Sequence, residues 1–106
     1  MSQIHAADIT LTDVVERLRE KRGELEAHGV LSLRIFGSRA RGDNRPDSDL
    51  DVLIDYDHAR KFSLLDLVQV EHLMEGILDL DVQITTLTSV PPSTRARIEA
   101  GAVRVF

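Results

Sequence analysis

The chain has 106 residues, of which 42% are hydrophobic and 29% are charged, and its formal net charge is −5. These values are typical of one globular domain over residues 1–106 and exclude a disordered chain. The negative charge argues against broad binding to nucleic acid or to an anionic membrane. The chain has no cysteine, which excludes disulfides and cysteine-based metal sites, and no apolar run of signal-peptide or transmembrane length. We therefore expect a cytoplasmic protein.

The first predicted elements are a helix and a strand. Thr10 or Thr12 can cap the helix, and His28-Gly29 ends it. Its apolar residues recur at helical spacing: Leu11, Val14, Val15, Leu18 and Leu25. The segment VLSLRIF follows as a strand, with Leu31, Leu33 and Ile35 predicted to lie on one face.

The rest of the chain continues to alternate between helices and strands. After a turn or short helix (SRARG) and a loop (RPDS), a second strand runs from Asp49 to Tyr56. Ser63 and Asp66 form a capping box for the next helix, and LDLDVQIT alternates as a third strand with an acidic face. Pro91-Pro92 opens a last helix, and AVRVF can close the sheet. This order predicts an α+β fold, a mixed sheet with helices mainly on its aliphatic face.

The second predicted strand carries carboxylates on one face and aliphatic side chains on the other. The alternation sets Asp49, Asp51 and Asp55 against Leu50, Val52 and Ile54. Like charges on one strand face repel, and a purely structural strand has no need of them. We therefore expect a cation on that face.

Two of these carboxylates can form part of a metal site. Residues two apart in a strand point the same way, with Cα atoms about 6.5 Å apart, so Asp49 and Asp51 converge. If the third predicted strand lies nearby, Asp81 or Asp79 joins them. Three carboxylates at that spacing can hold one or two Mg²⁺ ions, which keep open positions for substrate phosphates.

The Gly37-Ser38 turn supplies the complementary half of a phosphate site. A glycine that ends a strand and opens a helix presents free backbone N–H groups, and Ser38 adds a hydroxyl donor. Nearby cations that can balance a triphosphate are Arg39, Arg41 and Arg45. Taken singly, a D-x-D sequence, a Gly-Ser turn and a charged loop are more often structural. Together they favour a site for phosphate and metal.

Gly37-Ser38, ten intervening residues and then Asp49-x-Asp51 resemble the signature of the DNA polymerase beta-like nucleotidyltransferase superfamily. The run GSRARG…SDLDVLIDY is similar to its minimal nucleotidyltransferase (MNT) branch, and the resemblance covers nearly the whole chain. It implies that superfamily's core fold. It also implies a third acidic residue in the late strand, assigned to Asp81 with Asp79 as the alternate.

The resemblance implies transfer of a nucleoside monophosphate, usually AMP from ATP, to an acceptor hydroxyl. Asp49 and Asp51 would bind two Mg²⁺ ions, and Asp81 would complete the metal site and favour deprotonation of the acceptor. Ser38 and the backbone around Gly37 would hold the pyrophosphate, with Arg39 and Arg41 assisting at the phosphates.

The acceptor is expected to belong to a partner, because the sequence stops directly after the catalytic core at Phe106. Proteins of the MNT branch commonly pair with a helical HEPN toxin, a ribonuclease, and silence it by adenylylating a tyrosine. The resemblance thus implies the antitoxin of such a pair, forming a hetero-oligomer with the toxin. Two alternatives stay open: an antitoxin that acts by binding alone, and an adenylyltransferase for a small aminoglycoside-like molecule.

Overall fold

The computed structural model describes residues 9–106 and has a four-stranded mixed sheet with the strand order β3-β2-β1-β4. The strands are β1 (Val30–Phe36), β2 (Leu50–Tyr56), β3 (Val82–Thr86) and β4 (Val103–Arg104). Strand β1 is antiparallel to β2 and β4, whereas β2 and β3 are parallel. The helices are α1 (Leu11–Glu20), α2 (Arg22–Ala27), α3 (Ser38–Arg41), α4 (Leu64–Leu78) and α5 (Pro92–Ala100). The predicted α+β fold with a mixed sheet is confirmed.

The core fills one face of the sheet, where α1, α2 and α4 pack. Strands β1, β2 and β3 contribute its sheet side: Val30, Leu33, Ile35, Leu50, Val52, Ile54 and Val82. Burial of these aliphatic side chains is the main driving force for the fold. The opposite face of β2 carries Asp51 and Asp55 as predicted, but Leu53 lies between them and is buried. The prediction of a face made of carboxylates alone is therefore wrong, whereas the aliphatic face formed by Leu50, Val52 and Ile54 is confirmed.

The amino-terminal segment forms two helices rather than the single predicted one. Thr10 is the cap, since its hydroxyl accepts a 3.1 Å hydrogen bond from the Asp13 N–H. Helix α1 ends at Glu20, because the backbone of the next residue, Lys21, leaves the helical region, and α2 follows. The break falls in a charged stretch that contains Gly23, a residue of low helix propensity.

Helix α4 begins with the predicted capping box. The Asp66 carboxylate accepts from the Ser63 N–H at 2.7 Å, and the Ser63 hydroxyl accepts from the Asp66 N–H. The Ser63 N–H and the Ser63 hydroxyl, which also donates to the Asp66 carboxylate at 3.0 Å, lower the pKa of Asp66. No helix within residues 9–106 has the length and apolarity needed to cross a membrane.

The predicted third strand starts too early. Leu78 ends α4 and is fully buried, and Asp79 adopts a left-handed conformation with φ 53° that turns the chain out of the helix. The strand itself begins only at Val82. Residues 78–81 therefore present no acidic strand face, because burial of Leu78 on the helix outweighs the local alternation of apolar and polar residues.

The prediction that Leu31 shares a strand face with Leu33 and Ile35 is wrong. Leu31 is 51% exposed, whereas Val30, Leu33 and Ile35 are fully buried. The register between β1 and β2 shifts between Val30 and Ser32. Such a bulge inserts one extra residue and reverses the facing of the side chains before it.

We expect Leu33→Ala and Leu31→Ala to differ sharply in their effect on stability. Leu33→Ala leaves a cavity in the core and should cost about 2–5 kcal/mol of unfolding free energy. Leu31→Ala removes an exposed side chain and should change it by no more than about 0.5 kcal/mol. Urea denaturation measures both. Equal losses would contradict the bulge and restore the simple alternation.

Candidate active site

Gly37 brings the end of β1 against a carboxylate of β2. Phe36 pairs with Asp51 in the antiparallel register, and Gly37 follows with φ +76°. A Cβ at this position would overlap the Asp51 carboxylate. Glycine suits this position for two reasons: it can adopt the positive φ, and it leaves room for the Asp51 carboxylate.

Ser38 directly follows Gly37 and opens α3, which is four residues long. The helix ends at Gly42 in the left-handed conformation, and the Gly42 and Asp43 N–H groups both donate to the Ser38 carbonyl. The ambiguous turn predicted for this segment is thus one tight helical turn. It places Ser38 beside the Gly37–Asp51 contact.

Asp49 lies immediately before β2 and is exposed. The Leu50 N–H donates to the Asp81 carbonyl at 2.9 Å, so Asp49 and Asp81 precede adjacent parallel strands. The Gln83 amide lies 3.5 Å from the Asp49 carboxylate, and Gln83 pairs in register with Asp51. The alternation of apolar and polar residues in the sequence identifies Gln83 as a polar position of the strand but does not predict that it lies near Asp49. The parallel pairing of β2 with β3 is what brings its neutral donor to the site.

The electrostatic environment of Asp51 favours a bound cation. Partial burial raises the pKa of Asp51, the negative charge of Asp49 raises it further, and the Arg41 guanidinium opposes both effects. The two carboxylates are thus close enough for their ionised forms to repel. A cation between them would relieve both the repulsion and the loss of hydration.

A cleft of about 370 Å³ lies on the Asp81 side of these residues. Its acidic lining residues are Asp47, Asp49, Glu75, Asp79 and Asp81. Glu75 also has a structural contact that the sequence pattern does not reveal, since its carboxylate accepts from the Val82 N–H at 3.1 Å and fixes the start of β3. In residues 9–106, no three carboxylate or imidazole side chains are grouped closely enough to hold a metal ion together. The structure brings Asp49 close to Asp51, and the Asp81 carbonyl accepts from the Leu50 N–H. The predicted convergence of a third carboxylate, from Asp81 or Asp79, on Asp49 and Asp51 is not seen among residues 9–106.

The two predicted phosphate-binding arginines have different surroundings. Arg41 is exposed, contacts the Asp43 carboxylate at 3.1 Å and influences Asp51. Arg39 is 4% exposed, and its guanidinium donates to main-chain carbonyls of the loop before β2. The structure thus gives Arg39 contacts that the sequence does not predict, and its phosphate role stays a prediction.

A second cleft, of about 500 Å³, lies between the end of β1 and α5. Its lining is basic and partly apolar, formed by Phe36, Gly37, Arg41, Thr94, Arg97, Ile98 and Gly101. The Gly37–Asp51 contact therefore has arginines on one side and carboxylates on the other. Such an arrangement can hold an anionic group next to a site for cations.

The donor atoms of this site suit Mg²⁺, a hard cation that prefers carboxylate oxygens and keeps open positions for phosphate. Asp49 and Asp51 supply adjacent carboxylates, and burial together with the charge of Asp49 raises the pKa of Asp51 despite the nearby Arg41 guanidinium. These residues fit a divalent cation.

The chain belongs to the nucleotidyltransferase domain family, because the family described as "Nucleotidyltransferase domain" matches residues 14–105. A Methanocaldococcus jannaschii protein, provisionally named a protein adenylyltransferase, is 36% identical over 98 residues, covering 91% of this chain and 98% of that protein. The protein adenylyltransferase MntA of Thermococcus cleftensis is 34% identical over 85 residues, covering 79% of this chain and 84% of MntA.

Solved structures place the chain in the same family. A protein provisionally described as a minimal nucleotidyltransferase is 34% identical with a TM-score of 0.67, and the match covers 84% of this chain and 93% of that one. A chain of the Shewanella oneidensis complex between a tri-AMPylated HEPN toxin and an MNT antitoxin has the same fold at 15% identity, with a TM-score of 0.60, covering 87% of this chain and 71% of that one. The predicted membership in the minimal nucleotidyltransferases is confirmed.

We expect Asp51→Asn to leave the melting temperature at neutral pH unchanged or slightly raised while abolishing nucleotide transfer. The raised pKa means that the folded protein binds this proton more tightly than the unfolded chain, so ionisation of Asp51 costs stability as the pH rises above the ordinary Asp value. Asparagine removes that cost.

Thermal melts at pH 7 and below about pH 4, where an ordinary Asp is protonated, test this linkage. The difference between the variant and the wild type should vanish at the lower pH. The control is Glu16→Gln, which removes one negative charge from an exposed position on α1, as Asp51→Asn removes one from the site. A pronounced drop in the melting temperature of Asp51→Asn at pH 7 would mean that the carboxylate is structural.

Proposed function

We propose that this protein is a Mg²⁺-dependent protein adenylyltransferase that transfers AMP from ATP to a hydroxyl of a cognate HEPN toxin and thereby neutralises it as an antitoxin. The single observation that carries the proposal is the Asp51 carboxylate against Gly37 and beside Asp49, in a chain of the nucleotidyltransferase family. A protein that only bound its partner would have no need of this contact.

The residues divide into a carboxylate group and a phosphate group. Asp49 and Asp51 would hold the Mg²⁺ ions, of which we propose two, and Asp81 would complete the site from the adjacent cleft when its side chain turns toward them. The backbone around Gly37, the Ser38 hydroxyl and the Arg41 guanidinium would hold the phosphates of ATP. Bound Mg²⁺ would neutralise the charge of the reacting phosphates and lower the pKa of the attacking hydroxyl.

The chain's own residues orient the reaction. The acceptor oxygen forms a bond to the α-phosphorus of ATP as the bond from that phosphorus to the pyrophosphate oxygen breaks. Asp81 would favour loss of the acceptor proton, and Ser38 with Gly37 would bind the departing pyrophosphate. The positive charge of Arg41, near Asp51, would stabilise the negative charge on the phosphates.

The choice of acceptor rests on the relatives. Two curated relatives above 30% identity are named protein adenylyltransferases, one of them provisionally, and a chain with the same fold belongs to a complex with an AMPylated HEPN toxin. By extension, we propose a HEPN partner, a tyrosine acceptor and a cytoplasmic hetero-oligomer formed by this single domain with the toxin.

Substoichiometric silencing of the toxin tests the proposal. Catalytic amounts of the protein with ATP and Mg²⁺ should inactivate an excess of its cognate HEPN toxin, and intact mass spectrometry should show added adenylate on that toxin. Asp49→Asn/Asp51→Asn should lose both effects while still binding the toxin. Glu16→Gln/Glu20→Gln makes the same charge change on the exposed side of α1 and should retain both.

The alternatives give different results in the same experiment. A pure binder protects at a stoichiometric ratio, ignores ATP and survives the double substitution. A small-molecule adenylyltransferase leaves the mass of the toxin unchanged and instead transfers adenylate to an aminoglycoside-like acceptor. Either result would contradict the proposed function.

A further inference from the structure

Arg39 is the one buried charged side chain among residues 9–106, with 4% of its surface exposed. Its Nε donates to the Ser48 carbonyl at 2.9 Å, and its Nη2 donates to the Pro46 carbonyl at 3.3 Å. Burying a guanidinium is costly unless its donors are satisfied, so these two contacts are part of what keeps Arg39 in place. Both acceptors are main-chain groups of a single loop.

That loop leads directly into the carboxylate pair. A turn closes it, because the Ser48 N–H donates to the Arg45 carbonyl at 3.1 Å and the Arg45 N–H donates to the Ser48 hydroxyl at 2.8 Å. Asp49 is the next residue. Within residues 9–106, the exposed side chain of Asp49 has a single hydrogen-bonding contact, a long one of 3.5 Å with Gln83. The position of its carboxylate therefore depends on the backbone that precedes it.

Arg39 therefore connects the two halves of the motif. Its backbone lies in α3 directly after Ser38, and its guanidinium holds the loop that ends at Asp49. Ten residues separate Ser38 from Asp49, and no regular element continues between Gly42 and Leu50. Without a contact across this segment, the loop would have to become ordered when the cation binds, and that loss of conformational entropy would weaken cation binding.

We propose that Arg39 is a positioning residue, which fixes the Asp49 carboxylate relative to the Gly37-Ser38 turn by holding the Pro46 and Ser48 carbonyls. The planar guanidinium presents two donors in a fixed geometry, whereas a lysine ammonium reaches one carbonyl with less constraint. This role rests on the proposed function only where it concerns metal binding at Asp49. The constraint on the loop can be measured without metal or nucleotide.

The test compares Arg39→Met, which keeps the length of the stem but has no donor, with Arg39→Lys. Arg17→Met is the matched control, an exposed arginine on α1 remote from the site. Hydrogen–deuterium exchange of the metal-free protein should be faster at residues 45–50 in Arg39→Met and intermediate in Arg39→Lys, with wild-type exchange in the central strands. Arg17→Met should match the wild type throughout.

Mn²⁺ titration in the presence of the ATP analogue AMP-PNP, followed by the electron paramagnetic resonance signal of the free ion, gives the second readout. Loss of a group that orients a metal ligand typically weakens metal binding about 10–100-fold. We expect the half-saturating Mn²⁺ concentration to rise by about tenfold in Arg39→Met, with a smaller rise in Arg39→Lys. Binding of tripolyphosphate in chelator should stay unchanged in both variants.

Three outcomes would overturn the positioning role. One is wild-type exchange and wild-type Mn²⁺ binding in a folded Arg39→Met protein. Another is weaker binding of tripolyphosphate in chelator with Mn²⁺ binding unchanged, which would make Arg39 a phosphate ligand. The third applies if Arg39→Met does not fold: Arg39→Lys would then show wild-type hydrogen–deuterium exchange and wild-type Mn²⁺ binding. A wild-type protein that binds no Mn²⁺ would instead contradict the proposed function, while the exchange of residues 45–50 still decides the role of Arg39.

Discussion

The close approach of the Asp51 carboxylate to the backbone of Gly37 is the contact on which the site depends. It requires the antiparallel register that pairs Phe36 with Asp51, and it requires a residue without a side chain at the end of β1. The same register turns Leu50 and Val52 into the core. Packing of the aliphatic side chains and the position of the Asp51 carboxylate are thus set together, because they lie on opposite faces of one strand.

Charge is divided on either side of this contact. Arginines line the cleft toward α5, and carboxylates line the cleft toward the start of β3. A nucleotide with its phosphates on the arginine side would bring its reacting phosphorus toward Asp49 and Asp51. The acceptor hydroxyl would then approach from the side of Asp81. The overall charge of −5 conceals this division, since it averages over two local fields of opposite sign.

Local rules of the sequence predict a large part of this structure. The capping box of α4, the strands β1 and β2 and the aliphatic face of β2 each depend on residues a few positions apart, so pattern and spacing reveal them. The Gly37-Ser38 and Asp49-x-Asp51 motif likewise predicts the family, which the comparisons confirm.

The features that sequence reasoning missed are set by tertiary contacts. Leu31 is exposed because a bulge interrupts the pairing with β2, and Asp79 ends a helix because Leu78 is buried in the core. The carbonyls that accept from Arg39 and the amide that neighbours Asp49 come from other segments of the chain. A bulge leaves no periodic signal in the residues that form it, and neither does a hydrogen bond between separate segments of the chain.

The most direct test of the catalytic site is a crystal structure with AMP-PNP and Mn²⁺, in which anomalous scattering locates the metal. The predicted result is an anomalous peak coordinated by the carboxylates of Asp49 and Asp51, with the triphosphate on the Gly37-Ser38 turn and near Arg41. A triphosphate bound away from Gly37, with no metal at Asp49 and Asp51, would contradict the assignment of this contact as the centre of nucleotide transfer.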